Sequence, residues 1–88
     1  MTTRQLAVSR VRGEALAECT RLSRAGTALT LDQTVTLLDD LAGEQVIGSR
    51  RGLAATTAYR YYTGGGAVVT FTRDGQGLYW VTVSASPI

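Results

Sequence analysis

Apolar residues in the first part of the chain recur with the period of an α-helix. Five of them follow one another at steps of three or four and therefore share one helical stripe: Val8, Val11, Ala15, Cys19 and Leu22. The pattern predicts a first helix over about residues 3–24. Ala25-Gly26 follows it, and glycine is the residue that most often ends a helix.

A second helix is predicted over about residues 31–42. Thr30 and Gln33 have the spacing of a capping box, and Asp32 would lie in the first turn, where the helix dipole favours an anion. Gly43 is suited to end the helix. The stretch 44–53 is rich in glycine and arginine and is interpreted as an exposed loop.

After Gly43 the hydrophobic period changes towards two. Strands are predicted over about residues 54–62, 67–73 and 78–84, because these runs are rich in β-branched and aromatic residues and are separated by glycine-containing turns. The predicted fold class is α+β, with two N-terminal helices packed on one face of a three-stranded antiparallel β-meander. All 88 residues would form one small domain.

The register of the last hairpin decides which side chains are buried. A four-residue turn over 74–77 pairs Arg73 with Leu78 and places Phe71 and Trp80 together on the core face. Tyr79 then lies on the solvent face. For the first hairpin, a four-residue glycine loop is preferred to a three-residue one. It leaves Ala54 and Ala58 under the helices and exposes the two tyrosines Tyr59 and Tyr61.

Composition limits the chemistry that the chain can perform. It contains no histidine and a single cysteine, Cys19, which excludes Ser-His-Asp and Cys-His catalysis, disulfides within the chain and cysteine-rich zinc sites. Cys19 lies on the apolar stripe and is interpreted as a small buried hydrophobe. We expect no enzyme activity, no cofactor and no metal. The apolar runs are short and the N-terminus has no apolar signal region, so a cytoplasmic protein without a membrane span is expected.

Charge and aromatic residues are concentrated in the second half of the chain. Residues 1–44 carry five arginines and six acidic residues, a net charge of −1, whereas residues 45–88 carry four arginines and one aspartate, a net charge of +3. Arginine and tyrosine are both enriched at the centres of protein interfaces. The candidate partner-binding residues are those in loops, near strand ends or on the predicted solvent face: Arg50, Arg51, Tyr59, Arg60, Tyr61, Arg73 and Tyr79.

Two classes of function are consistent with these features. The first is a protein-binding module that occupies the surface of an acidic partner, and a homodimer through a sheet edge is compatible with it. In size and in scarcity of motifs the chain is similar to phage- or mobile-element-borne inhibitors such as anti-CRISPR proteins, a similarity of type only. The alternative is a winged-helix DNA-binding regulator with 49–62 as recognition helix and 67–84 as wing. The conformation of residues 53–62 distinguishes the two classes: a strand favours the protein-binding module, and a helix favours the DNA-binding regulator.

Overall fold

Three helices precede three strands along the chain. The computed structural model describes residues 3–85, and the side chains of residues 10–85. The helices and strands are α1 (Thr3–Ala25), α2 (Leu31–Ala42), α3 (Ser49–Ala55), β1 (Ala58–Tyr62), β2 (Ala67–Arg73) and β3 (Tyr79–Ala85). The predicted α+β class and the antiparallel meander are confirmed. None of the helices within the described residues is both long and apolar enough to cross a bilayer.

The first two helices form where the sequence predicts them. At the start of α2 the Thr30 hydroxyl accepts from the Gln33 amide, and the Gln33 side chain accepts from the Thr30 amide, so the capping box is complete. In α1 the stripe residues Ala15 and Cys19 are buried in the core. Opposite them, Glu18 and Arg21 form an exposed ion pair one helical turn apart.

The stretch 44–53 is an exposed loop only in its first half, because its second half, residues 49–53, belongs to α3. Leu53 is fully buried and Ser49 nearly so, and α2 packs against this short helix. Burial of Leu53 outweighs the poor helix propensity of Gly52 in this glycine- and arginine-rich stretch. Since α3 continues to Ala55, β1 begins four residues later than predicted.

The sheet has the strand order β1-β2-β3, and both strand pairs are antiparallel. α1 packs against β3, α3 packs against β1, and α2 contacts both of these helices. The face beneath the helices includes two three-residue rows of cross-strand neighbours, Tyr59–Phe71–Val81 and Tyr61–Val69–Val83. Phe71 and Val69 are fully buried at the centre of this face.

The predicted register of the second hairpin is wrong by one residue. Arg73 pairs with Tyr79 rather than with Leu78. The Asp74 amide donates to the Leu78 carbonyl (2.8 Å), so the loop contains only the three residues 75–77, and its last residue, Gly77, has a φ of +79°. A shift of one residue exchanges the two faces of a strand. Tyr79 is therefore buried, and Trp80, predicted in the core, faces solvent.

The first hairpin also has a three-residue loop, Gly64-Gly65-Gly66. The Thr63 amide donates to the Ala67 carbonyl and closes this loop. Tyr59 and Tyr61 therefore lie on the core face and are half-buried, contrary to the preferred four-residue loop. A Cβ atom on Gly52 would lie 3.3 Å from the Tyr59 ring, so glycine lets α3 approach that ring closely.

Tyr79 joins parts of the chain that are distant in sequence. Its backbone exchanges two hydrogen bonds with Leu29, both of 2.8 Å, in the connection between α1 and α2. Its hydroxyl donates to the Leu53 carbonyl of α3 (3.1 Å). The hydroxyl is satisfied although the residue is only 2% exposed, so its burial leaves no orphaned polar atom.

The two glycines of the second hairpin loop provide a matched test of this turn. A Cβ atom on Gly75 or on Gly77 meets no other atom within 4 Å, but only Gly77 has a positive φ. Gly77→Val should lower the free energy of unfolding by about 1–3 kcal/mol, since a β-branched residue is strained in this region. Gly75→Val should change it by much less. Chemical denaturation of the two variants checks this, and equal losses would contradict the turn described here.

Candidate binding surface

The sheet has a second face that points away from the helices, and we call it the outer sheet face. It consists of three cross-strand rows: Ala58–Thr72–Trp80, Arg60–Thr70–Thr82 and Tyr62–Val68–Ser84. Tyr62 is 64% exposed and Trp80 is 39% exposed, which makes them two of the large exposed apolar residues of the described chain. Hydroxyl-bearing threonines occupy most of the surface between them.

The indole of Trp80 is held by the turn that precedes its strand. Its Nε1–H donates to Asp74 Oδ2 at 2.8 Å. The other carboxylate oxygen, Oδ1, accepts from the backbone amides of Gln76 (2.8 Å) and Leu78 (3.0 Å). A single carboxylate thus organises the hairpin loop and fixes the orientation of an exposed aromatic ring.

These hydrogen bonds favour the ionised form of Asp74. The indole bond is the largest cause, followed by the Leu78 amide, and together with the Gln76 amide they lower the pKa of Asp74. A carboxyl group whose pKa is lowered on folding stabilises the fold above its unfolded pKa. That contribution is lost as the pH falls through the lowered value. The hydrogen bond from Trp80 to the Asp74 carboxylate is therefore intact at neutral pH and weakens in acid.

The predicted partner-binding arginines lie in different environments. Arg60 is exposed on the outer sheet face. Arg50 and Arg51 are exposed on α3, and the Arg50 guanidinium pairs with the carboxylate of Asp32 in α2. Arg73 belongs to the core-face row of Tyr79 and is half-buried, and its guanidinium donates to the Ala54 carbonyl at the end of α3 (2.6 Å). The arginines therefore do not share one surface.

The three predicted tyrosines are all on the other side of the sheet. Tyr79 is buried, so its placement on the solvent face is wrong, and Tyr59 and Tyr61 contribute to the core. The reason is the same in both hairpins: a loop one residue shorter than assumed exchanges the faces. Of the seven predicted residues, Arg60 alone lies on the outer sheet face.

One aromatic residue of the outer sheet face, Trp80, was assigned to the core by the sequence pattern, because the predicted register of the second hairpin is wrong by one residue. The other, Tyr62, was not among the predicted partner-binding residues. The informative signal is in the turns: Gly77 and Asp74 match a three-residue hairpin with glycine in the left-handed position. A register predicted from that motif would have placed Trp80 on the solvent face.

The thiol of Cys19 is buried. Burial raises the pKa of Cys19 to about 12, and the charge of Glu18 adds to the effect, so the thiolate that would act as a nucleophile does not form at neutral pH. Within residues 3–85 no cluster of three or more histidine, cysteine, aspartate or glutamate side chains could hold a metal ion.

Comparison with protein-family models, curated proteins and solved structures finds no match to this chain. The outer sheet face is therefore interpreted from its own chemistry.

The contact between Asp74 and Trp80 can be tested by a substitution that preserves the turn. In Asp74→Asn the amide oxygen still accepts from the backbone of the loop, but the amide nitrogen cannot accept from the indole. Because Trp80 is the only tryptophan, its Nε1–H gives one assignable proton resonance. In the native chain this resonance should shift as the pH falls, with a midpoint below the ordinary pKa of aspartate.

In Asp74→Asn the indole resonance should sit near its acid position at every pH, and the Nε1–H should exchange faster with solvent. An indole resonance that is independent of pH in the native chain, and unchanged in the variant, would contradict the hydrogen bond.

Proposed function

We propose that this chain is a non-catalytic, cytoplasmic protein-binding module that acts by occupying a partner's surface with its outer sheet face. The observation that carries the proposal is the combination of Trp80, Tyr62 and Arg60 on the sheet face that the helices leave uncovered. Tryptophan, tyrosine and arginine are the residue types most enriched among interface residues that dominate binding energy.

The anchored indole supports this proposal. A side chain that is already fixed before binding loses less conformational entropy when the complex forms. The hydrogen bond from Trp80 to Asp74 provides this fixation at neutral pH, while the ring stays partly exposed. Threonine hydroxyls between the aromatic residues offer donors and acceptors that can pair with a partner's polar groups.

The dimensions of the outer sheet face indicate how a partner would engage it. Trp80 and Tyr62 lie two strands and four residues apart, which corresponds to a diagonal of about 16 Å. A stable interface buries roughly 800 Å² on each partner, about one seventh of the 5829 Å² that this chain exposes. One partner would therefore cover both aromatic residues at once.

Charge indicates the chemistry of the partner. Arg60 is the charged residue of the three rows. An acidic group on the partner's surface would pair with its guanidinium. A protein partner with an acidic patch next to apolar pockets fits these features.

Two exposed arginines provide a matched test, because Arg60 lies on the outer sheet face and Arg51 lies on α3. The tagged chain is used to capture partners from nuclease-treated lysate of its source cells, and affinity is measured with the purified partner. Arg60→Glu and Trp80→Ala should each weaken binding by at least about tenfold, or 1.4 kcal/mol.

Arg51→Glu changes the net charge as much as Arg60→Glu does but should alter affinity less than about twofold. Circular dichroism of each variant controls for folding. The proposed surface would be refuted if Arg51→Glu weakened binding while Arg60→Glu and Trp80→Ala left the affinity unchanged.

A second candidate, DNA binding, is favoured by one specific observation. α2 and α3 pack against each other in the order of a helix-turn-helix unit, and α3 carries Arg50 and Arg51. The continuous recognition helix over 49–62 is not formed, however, because α3 ends at Ala55 and residues 58–62 are strand. Arg50 is also already paired with Asp32. These features make DNA binding the weaker candidate.

Salt dependence separates the two candidates. We expect no complex with random duplex DNA tighter than about 10⁻⁵ M at physiological salt, near the weak end of non-specific binding. Fluorescence anisotropy with labelled DNA at several salt concentrations measures this. A micromolar complex whose affinity falls steeply with salt, and which Arg51→Glu abolishes, would instead favour the DNA-binding function.

A further inference from the structure

The backbone of β3 has one side that is not used by the sheet. In an antiparallel strand, successive residues direct their N–H and C=O groups alternately to the two neighbouring positions. Tyr79 bonds to Leu29 on the side away from β2, so Val81, Val83 and Ala85 direct their backbone groups to that same side. Trp80 and the other alternate residues bond to β2.

The edge of β3 is occupied only at its beginning. Leu29 takes both backbone groups of Tyr79. For Val81, Val83 and Ala85, the described residues supply no backbone partner on the outward side. An edge of this kind is a template for another strand, and the bridge with Leu29 indicates that its geometry accepts antiparallel pairing.

The two edges of the sheet, β1 and β3, differ in charge. Residues 79–85 of β3 carry no charged side chain, and the side chains of Val81 and Val83 are at least partly covered by the core. β1 has Arg60 at its centre, so two copies paired through β1 would place these arginines opposite each other. Self-association is therefore unfavourable at β1 and unopposed by charge at β3.

We propose that β3 pairs antiparallel with β3 of a second copy of this chain, about a twofold axis at Val83. This register places Val81 opposite Ala85 of the second copy and forms about six backbone hydrogen bonds. Both copies contribute the same surface, as a twofold interface requires. The result is one six-stranded sheet in which the two outer sheet faces become continuous.

This inference stands independently of the proposed partner, because it rests on the backbone pattern of β3. The edge of β3 determines which kind of strand can pair with it. A suitable strand is uncharged, extended and rich in β-branched residues. β3 of another copy has these properties and is present at the same concentration as the edge that it would cover.

The test compares two proline variants that each remove one outward N–H group from an edge strand. Val83→Pro removes the group at the proposed twofold axis, and Ala58→Pro removes the corresponding group from β1, so neither breaks a bond within the sheet. The mass in solution is measured by light scattering over a dilution series. The native chain and Ala58→Pro should reach twice the 9.4 kDa of one chain, and Val83→Pro should remain at that mass.

A second measurement does not depend on the folding of Val83→Pro. In the native chain the amide protons of Val81, Val83 and Ala85 should exchange more slowly with solvent as the protein concentration rises, whereas the amide of Arg60 should not change. A native chain that is monomeric throughout, or whose β3 edge amides exchange fast at every concentration, overturns the proposal. A dimer that persists in Val83→Pro and is lost in Ala58→Pro overturns it as well.

Discussion

The register of β2 against β3 is the constraint on which the rest of the structure depends. Asp74 closes the hairpin through its backbone bond to Leu78, its carboxylate binds two amides of the loop, and Gly77 takes the left-handed conformation that a three-residue loop requires. Since strand side chains alternate, this turn alone decides that Tyr79 enters the core and Trp80 faces solvent. The candidate surface therefore originates in a turn at one end of the sheet.

Burial of Tyr79 in turn sets the positions of the helices. Its backbone binds Leu29 in the connection between α1 and α2, and its hydroxyl donates to the Leu53 carbonyl in the last turn of α3. A phenylalanine could fill the same space but could not satisfy the Leu53 carbonyl. The tyrosine that the sequence pattern suggested as a binding residue is thus a structural one, and its polar atom has a partner within the fold.

Local sequence patterns predicted a helix or strand correctly where the pattern is specific for one kind of structure. The capping box at Thr30 and Gln33, and Gly43 after it, gave the bounds of α2, and β-branched runs gave the bounds of β2. The α3 helix was missed because seven residues with a central glycine carry little helical signal, and burial of Leu53 supplies the stability. The faces of the sheet were missed because they depend on loop lengths that differ by a single residue.

The bridge between Leu29 and Tyr79 has a consequence for how the chain reaches this structure. The three helices and the two hairpins can each form from contacts between residues close in sequence, and such contacts form quickly. The bridge instead closes a loop of about fifty residues, whose entropy must be overcome before its two hydrogen bonds are gained. We therefore expect the docking of the helical half onto the sheet to occur later than the formation of the local helices and hairpins.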